Sequence, residues 1–357
     1  MYDIHPEIVH MGEFVHGDDA IRYDAIDFSA NINPLGPPQE IISYIKSIDR
    51  SDFLKYPDSD ASELREALSE VYGVSPEAII TGNGSMELLR LFCQVFLKKG
   101  YQSLIPVPTF SEYERMTILH GGKCVFIRMK EFNLDVSTVL DYITEKTKII
   151  FICNPNNPTA RYYHTITEIL EETASKKVLI CLDEAFIDFS DHSSVISLQH
   201  PHLFVLQSAT KIFSIPALRC GYGFSDQSVI EYMNKAATPW NLNHFAQEAV
   251  KRVVGNSKFI QRTKEMMERE KSYLMTEMQR IPSLQVFPSH TNFFLIHTRE
   301  CRAPDLKVML LRKGILIRDC SNFRGLDDHY FRICVRTRED NHKLMEALRT
   351  LHEEEKL

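Results

Sequence analysis

The hydrophobic positions along the chain follow two different spacings, which alternate between about residues 60 and 225. The segment Ser62–Tyr72 places Leu64, Leu68 and Val71 on one helical face. Three short apolar runs show no alternation with polar residues, which is typical of strands buried on both faces; they span residues 148–153, 177–182 and 202–207. Helices that alternate with such strands predict βαβ units around a mainly parallel sheet, that is, an α/β fold.

The C-terminal third of the chain has a different pattern. Residues 244–280 are charged and amphipathic, which predicts one long helix. Short strands are predicted next at residues 284–287, 293–296, 315–318 and 330–334, with helices near 304–313 and 339–354. This mixture predicts a smaller α+β domain. We therefore expect a large α/β domain at residues 36–243 and a small domain assembled from residues 1–35 and 244–357.

Composition and charge narrow the class of protein. Of the 357 residues 44% are hydrophobic, and 41 basic against 48 acidic side chains give a net charge of −7, which argues against a generic nucleic-acid binder. No apolar run approaches the ~18 residues of a membrane helix, and the N-terminus lacks the pattern of a signal peptide. Eight cysteines without a CxxC pair favour reduced thiols. We expect a cytoplasmic protein with no membrane or nucleic-acid partner.

Four polar clusters follow predicted strands, at the edge where open α/β sheets bind their ligands. The first is the glycine turn TGNGSME at residues 81–87, which leads into a helix. The backbone N–H groups of Gly84, Ser85 and Met86 suit a phosphate, although a plain strand–helix turn has the same pattern. The second is CNPNNPTA at residues 153–160, whose prolines and asparagines predict a rigid loop that aims an amide into a cleft.

The third and fourth clusters carry opposite charges. Asp183 directly follows an apolar run, so its carboxylate suits a buried cation, although a helix N-cap is an equal alternative. Lys211 lies just after Ser208 and the next predicted strand. A buried lysine is costly unless it has a role such as forming a Schiff base. Arg219 and the Ser208 hydroxyl are spaced to hold a phosphate near that lysine.

Taken together, the clusters carry more information than any one of them. Their order is a glycine turn, NPNNPT, LDEAF, SxTK and an arginine eight residues after the lysine. This order resembles fold-type I pyridoxal-phosphate enzymes of the aminotransferase class over about residues 27–340. The resemblance implies the PLP-dependent transferase fold type I, with a large domain whose mainly parallel sheet is flanked by helices, plus a smaller α+β domain. It also implies pyridoxal 5'-phosphate as the cofactor.

The resemblance implies a role for each matching residue. Lys211 is the lysine that forms the Schiff base and moves protons, and Asp183 keeps the pyridine nitrogen protonated. Asn157 donates to the ring oxygen, and Phe110 stacks on the ring face. The phosphate is held by Gly84, Ser85, Met86, Ser208 and Arg219. Tyr56 is similar to a tyrosine that reaches the phosphate bound by the partner subunit, which implies a homodimer with shared active sites.

Segments near both ends resemble one branch of this family, the threonine-phosphate decarboxylases of cobalamin biosynthesis; they span residues 27–38, 239–243, 315–326 and 330–337. Phe186 stands where many aminotransferases have a tyrosine, so Asn157 would bond the ring oxygen alone. The substrate site implied by this branch consists of His10, Asn33, Asn157, Arg318 and Arg332, with His16 as an alternative to His10. Which arginine binds the substrate phosphate and which the carboxylate stays open. Ala160 and Ala217 replace glycines that are usual in the family.

We therefore expect decarboxylation of a phosphorylated amino acid, L-threonine O-3-phosphate, to (R)-1-aminopropan-2-ol O-phosphate and CO2 for cobalamin biosynthesis. Serine phosphate lacks one methyl group, which a pocket discriminates by only about 1–3 kcal/mol, so it stays an alternative substrate. Histidinol-phosphate aminotransferase is the alternative enzyme. A non-catalytic PLP-binding protein is the alternative from another class, and the presence of both Lys211 and Asp183 argues against it. We expect no metal site.

Overall fold

The computed structural model describes residue 8 and residues 22–357. Its strands are β1 (Ile26–Asp27), β2 (Ile79–Asn83), β3 (Gln102–Val107), β4 (Lys123–Arg128), β5 (Thr147–Cys153), β6 (Leu179–Asp183), β7 (Leu203–Ser208), β8 (Cys220–Phe224), β9 (Leu284–Val286), β10 (Phe293–Thr298), β11 (Ile315–Leu316), β12 (Arg318–Asp319) and β13 (Tyr330–Cys334). Its α-helices are α1 (Gln39–Ser47), α2 (Ser62–Tyr72), α3 (Ser85–Phe96), α4 (Glu112–Leu119), α5 (Val136–Asp141), α6 (Ile166–Thr173), α7 (Ala209–Ile212), α8 (Gln227–Ala236), α9 (His244–Lys251), α10 (Ser257–Met278), α11 (Ala303–Leu311) and α12 (Arg338–Glu353).

The central sheet has seven strands in the order β2-β8-β7-β6-β5-β3-β4. Neighbouring strands from β7 to β4 are parallel, whereas β8 runs antiparallel to both β2 and β7. Alternate residues of β5 pack into two separate apolar clusters, with Phe151 in one and Ile152 in the other. Both faces of the sheet are therefore covered, which explains the continuous apolar runs and confirms the predicted mainly parallel sheet.

The antiparallel strand β8 is not predicted by the hydrophobic pattern, because two of its five residues are glycines. Both glycines are required by close packing. An ideal Cβ at Gly221 would collide with the backbone nitrogen of Ser85, and one at Gly223 would lie 2.5 Å from the Phe204 ring. The strand therefore lies directly against the start of α3, next to the glycine turn that follows β2.

The predicted long helix at residues 244–280 is divided into α9 and α10, so that prediction is wrong. α9 ends at Lys251, and α10 begins at Ser257. Between them, the side-chain oxygen of Asn256 accepts a hydrogen bond from the backbone N–H of Phe259 at 3.0 Å. This is an N-cap, and it starts a new helix directly after Gly255.

The C-terminal strands form a separate antiparallel sheet in the order β12-β13-β10-β9. The strand predicted at residues 315–318 is divided, because β11 pairs in parallel with β1 whereas β12 pairs with β13. The β1–β11 pairing attaches the beginning of the described chain to the C-terminal part. The domain limits themselves, 36–243 against 1–35 and 244–357, stay a prediction.

Two further expectations concern membranes and thiols. Within the described residues, no helix is both long and apolar enough to cross a bilayer.

All eight cysteines lie within residues 22–357 and are free thiols. Burial raises the pKa of Cys220 and Cys320 to about 12, so both thiols are protonated and poor nucleophiles at neutral pH.

Candidate active site

A cavity of about 650 Å³ opens where β5, β6 and β7 end, as expected for a parallel sheet whose strands share one carboxyl edge. Its walls include ten of the residues that the sequence predicts for the site: Ser85, Met86, Phe110, Asn157, Asp183, Ser208, Lys211, Arg219, Arg318 and Arg332. Residues far apart along the chain therefore meet in one place. Gly84, Asn33 and Tyr56 are predicted site residues outside these walls.

Lys211 lies in α7, three residues after the end of β7. Its backbone carbonyl accepts a hydrogen bond from the Asn33 N–H at 3.2 Å, so the N-terminal loop fixes the position of this short helix. Burial and, less strongly, the positive charges of Arg332 and Arg219 together lower the pKa of the lysine to about 8, although the negative charge of Asp183 acts in the opposite direction. The unprotonated, nucleophilic form of this amine is therefore a minority of roughly one tenth at pH 7, but far more abundant than for an ordinary lysine.

Asp183 is the last residue of β6 and is buried. Its Oδ2 accepts a hydrogen bond from the Tyr113 hydroxyl at 2.7 Å, and its Oδ1 accepts one from the Ala185 N–H at 3.0 Å. Burial raises the pKa of this carboxyl, whereas both hydrogen bonds and the positive charge of Lys211 act in the opposite direction. The carboxylate is therefore placed to pair with a cation or an N–H donor in the cavity.

The glycine turn lies beside Arg219 at the start of α3. Gly84 has φ +78°, and an ideal Cβ there would lie 2.5 Å from Arg219 Nη2, so a glycine is needed for the guanidinium to approach. The first turn of α3 adds backbone N–H groups and the positive end of a helix dipole. The Ser208 hydroxyl is hydrogen-bonded to the Thr210 hydroxyl at 2.7 Å. This corner of the cavity has the donors of an anion site.

Arg318 and Arg332 face each other on neighbouring strands, as directly paired residues of β12 and β13. Arg332 donates from Nη1 to the Asn157 side-chain oxygen, and from Nη2 to the Ser29 carbonyl at 2.7 Å. Arg318 donates from Nη2 to Asn322 Oδ1 at 2.9 Å. Burial lowers the pKa of Arg332 to about 10, and the positive charge of Arg318 contributes. Two confined cations at one wall suit an anionic ligand.

Asn33 and its neighbour Asn31 have different environments. The Asn33 amide donates to the Ile212 carbonyl at 2.8 Å and to Thr263 Oγ1 at 2.9 Å, so it holds the loop against the lysine helix. Asn31 lines the cavity instead and is 3% exposed, and its Oδ1 has no hydrogen-bond partner among residues 22–357. The sequence pattern does not separate the two, since both belong to the same polar loop.

Aromatic and charged groups complete the walls. Phe186 is buried and packs edge-on against Phe293, with ring centroids 5.1 Å apart, so this wall carries no tyrosine hydroxyl. Glu112 and Arg115 also line the cavity, and Arg115 Nη1 donates to Glu112 Oε2 at 3.3 Å. The sequence pattern does not predict this pair, whose one signal is its position just after Phe110. 

Two further positions test the departures from the family pattern. Ala160, which replaces a usual glycine, has φ +59°. An alanine in this left-handed region is strained. Ala217 lies in a short 3-10 turn, and its φ is not positive. The first replacement therefore carries a conformational cost and the second does not.

The remaining predicted residues lie away from the cavity or outside the described part of the chain. Tyr56 is 80% exposed, and its ring lies against Trp240, with centroids 4.8 Å apart. His10 and its alternative His16 lie outside the described residues.

A mainly parallel sheet with a half-buried lysine, a buried aspartate and a glycine turn at its carboxyl edge is the arrangement of a pyridoxal-phosphate enzyme of fold type I. The chain matches the family model described as "Aminotransferase class I and II" over residues 23–348, and it belongs to this family. Membership implies a pyridoxal 5'-phosphate cofactor. 

The chain is similar to a protein of Caldanaerobacter subterraneus subsp. tengcongensis named "Putative threonine-phosphate decarboxylase", with 38% identity over 96% of this chain and 95% of that protein. It is also 32% identical to the histidinol-phosphate aminotransferase of Methanothermobacter thermautotrophicus, over 91% of this chain and 88% of that protein. Among solved structures, the histidinol-phosphate aminotransferase from Clostridium acetobutylicum has a TM-score of 0.87 at 29% identity, covering 92% of this chain and 99% of that one. The L-threonine-O-3-phosphate decarboxylase from Porphyromonas gingivalis has a TM-score of 0.81 at 27% identity, with the same coverage.

The residues at the cavity fit the cofactor that the family implies. A half-buried amine at Lys211 and a buried carboxylate at Asp183 share the same cavity. The glycine turn leaves a cradle that a Cβ at Gly84 would fill, directly beside the Arg219 guanidinium. These groups match an aldehyde, a ring nitrogen and a phosphate, respectively.

Proposed function

We propose that this protein decarboxylates L-threonine O-3-phosphate to (R)-1-aminopropan-2-ol O-phosphate and CO2, a step of cobalamin biosynthesis. The observation that carries the proposal is the pair of buried arginines, Arg318 and Arg332, opposite each other at the cavity. Arg219 is the cation beside the glycine turn, where the cofactor phosphate would be held. Two further guanidinium groups at the other wall match a substrate that carries both a phosphate and a carboxylate.

Three further observations support the decarboxylase. The relative named "Putative threonine-phosphate decarboxylase" is 38% identical over 96% of the chain. The wall beside Asn157 carries Phe186, which cannot donate a hydrogen bond to a ring oxygen. The segments near residues 27–38 and 315–326, which resemble decarboxylases of this kind, contribute Ser29, Asn31 and Arg318 to the cavity.

The proposed roles in holding the cofactor follow from the positions of four groups. Bound pyridoxal 5'-phosphate supplies an electron-withdrawing ring that accepts the electron pair of the bond broken at Cα. Lys211 would hold it covalently, since the lowered pKa of about 8 makes the free amine more accessible than in an ordinary lysine. Asp183 accepts the N–H of the cofactor ring. The N–H groups at Ser85 and Met86, with Arg219, hold the phosphate.

The substrate is oriented by its anionic groups. Arg318 and Arg332 would bind the substrate phosphate, so that the carboxylate stays free and its bond to Cα can stand perpendicular to the cofactor ring. That bond breaks, the carboxylate leaves as CO2, and a proton takes its place on Cα. Lys211 Nζ is the group proposed to deliver this proton, because it is the titratable amine of the cavity and its pKa is near neutral.

We further propose that the active form is a homodimer with shared sites. Tyr56 and Trp240 are 80% and 51% exposed, and their rings form one aromatic surface with centroids 4.8 Å apart. Leu54, two residues before Tyr56, is 74% exposed. Such a surface is costly in water and is typical of a protein interface. In this homodimer Tyr56 of one protomer would reach the cofactor phosphate of the other, as the resemblance to the family implies.

Histidinol-phosphate aminotransferase is the second candidate, and one contact favours it. Arg332 is hydrogen-bonded to Asn157, and an arginine beside such an asparagine suits the α-carboxylate of an amino donor, which must be held in the ring plane for amino transfer. Relatives of this name are 32% identical. In the decarboxylase the same arginine would bind the phosphate instead.

Product analysis with three substrates tests the proposal. The holoenzyme is incubated separately with threonine phosphate, with serine phosphate, and with histidinol phosphate plus 2-oxoglutarate. We expect CO2 and an amine phosphate from threonine phosphate, and less from serine phosphate. Glutamate from histidinol phosphate, with no CO2 from the other two, contradicts the decarboxylase. The Lys211→Ala variant is the control and should form no product in any reaction.

A further inference from the structure

Tyr113 connects two parts of the proposed cofactor site without lining the cavity. It lies in α4, three residues after Phe110, and is fully buried. Its hydroxyl donates to Asp183 Oδ2 at 2.7 Å. A buried phenol hydroxyl requires a partner, and here that partner is the carboxylate proposed to face the cofactor ring.

The Tyr113 ring is held from two sides. It stacks on Phe151 of β5 with the ring planes 3° from parallel and the centroids 5.2 Å apart, and it meets the Phe110 ring edge-on at 5.7 Å. The hydroxyl therefore cannot swing away from Asp183 unless the helix moves. The same packing fixes Phe110, which is proposed to stack on the cofactor.

The hydrogen bonds of Asp183 leave one side of the carboxylate for a ligand. Oδ1 accepts from the Ala185 N–H at 3.0 Å, and Oδ2 accepts from Tyr113. An ionised carboxylate has about four acceptor positions, and Asp183 also faces the cavity. The two donors thus set the orientation of the carboxylate and favour its ionised form against the effect of burial.

We propose that Tyr113 is a positioning residue for the cofactor, whose hydroxyl keeps the Asp183 carboxylate ionised and aimed at the ring nitrogen. The inference rests on the proposed placement of the ring against Asp183, and it holds for decarboxylation and for amino transfer alike. Removing the hydroxyl takes one donor from a charged acceptor. Cofactor binding should therefore weaken about tenfold to hundredfold.

Three variants test this role. Tyr113→Phe removes only the hydroxyl, and Asp183→Asn removes the charge. Tyr72→Phe is the matched control, since its hydroxyl donates to the neutral Gln207 amide oxygen at 2.7 Å and Tyr72 does not line the cavity. The dissociation constant of pyridoxal 5'-phosphate is measured by titrating each apo-protein. The pH midpoint of the visible absorption change is measured on each holoenzyme.

The expected results separate a positioning role from a structural one. Tyr113→Phe should weaken cofactor binding by about tenfold or more and move the midpoint to higher pH, because a less protonated ring nitrogen withdraws less charge from the lysine–cofactor linkage. Tyr72→Phe should leave both quantities unchanged. Replacing Tyr113 with 3-fluorotyrosine keeps the ring in place with a more acidic hydroxyl, and it should move the midpoint in the opposite direction.

Two results would count against the account, and they are distinguishable. If Asp183→Asn weakens binding while Tyr113→Phe binds within about twofold of the wild type with the same midpoint, the role of Tyr113 is overturned. If Tyr113→Phe does not fold, the protein with 3-fluorotyrosine at position 113 is tested in its place. An unchanged pH midpoint of the absorption change in that protein overturns the positioning role of Tyr113. If Asp183→Asn also binds like the wild type, the proposed placement of the cofactor is wrong.

Discussion

Replacing Arg332 with lysine tests the substrate wall while keeping its charge. The guanidinium donates from two nitrogens, one to Asn157 and the other to the Ser29 carbonyl. A lysine ammonium is a single point that cannot replace this planar fork, so at least one charge-assisted hydrogen bond to the anionic group of the substrate should be lost. Such a bond contributes roughly 1.5–3 kcal/mol, which corresponds to a fall in kcat/KM of about 10- to 150-fold.

The assay is steady-state kinetics of product formation by the holoenzyme, with thermal unfolding measured on the same samples. Arg336→Lys is the matched control. Arg336 follows β13 and donates to the Asp27 carbonyl at 2.9 Å and to Asp340 at 3.0 Å, but it does not line the cavity. The reasoning is refuted if Arg332→Lys folds normally and keeps kcat/KM within about twofold, or if Arg336→Lys loses as much activity.

Three other predictions address the turn, the surface and a buried acid. Gly84→Ala should destabilise the protein by roughly 1–3 kcal/mol and weaken cofactor binding, because φ is +78° and the new Cβ would lie 2.5 Å from Arg219. Denaturant unfolding measures the stability and cofactor titration measures the affinity; an unchanged stability and affinity would contradict the prediction. Tyr56→Ala should change the free energy of unfolding by no more than about 0.5 kcal/mol, since the side chain is 80% exposed. It should lower the affinity of the dimer for the cofactor, and an unchanged affinity would argue against a shared site. Burial raises the pKa of Glu184 from 4.5 to about 7, so the folded state keeps a proton that the unfolded state releases. As pH rises through this range, the free energy of unfolding of the wild type should fall by about 3 kcal/mol relative to that of Glu184→Gln. The same pH dependence of the unfolding free energy in both proteins would contradict this prediction.

The sequence predicts much of the site because parallel strands share one carboxyl edge. Asn157, Asp183 and Lys211 each follow a recognisable apolar run, and the sheet order brings those runs side by side. No long-range information is needed to expect that they meet. The same reasoning does not predict β8. Its Gly221 is required by close contact with Ser85, and Ser85 lies more than a hundred positions earlier in the chain.

The sequence pattern does not show which side chains of a loop or helix point into the cavity. Asn31 and Asn33 differ by two positions in one polar loop, yet only Asn31 lines the cavity, because the Asn33 amide is used by Ile212 and Thr263. Tyr113 has the pattern of an ordinary buried helical residue, and its contact with Asp183 depends on how α4 packs on the sheet. The break after α9 was predictable, since Gly255 and Asn256 are common at helix boundaries.

The central claim is tested most directly by measuring CO2 released from L-threonine O-3-phosphate labelled at the carboxyl carbon. The account predicts one labelled CO2 for each aminopropanol phosphate formed, at a rate that does not depend on added 2-oxoglutarate. Retention of the label in a 2-oxo acid, formed only when 2-oxoglutarate is present, would show amino transfer and contradict the account.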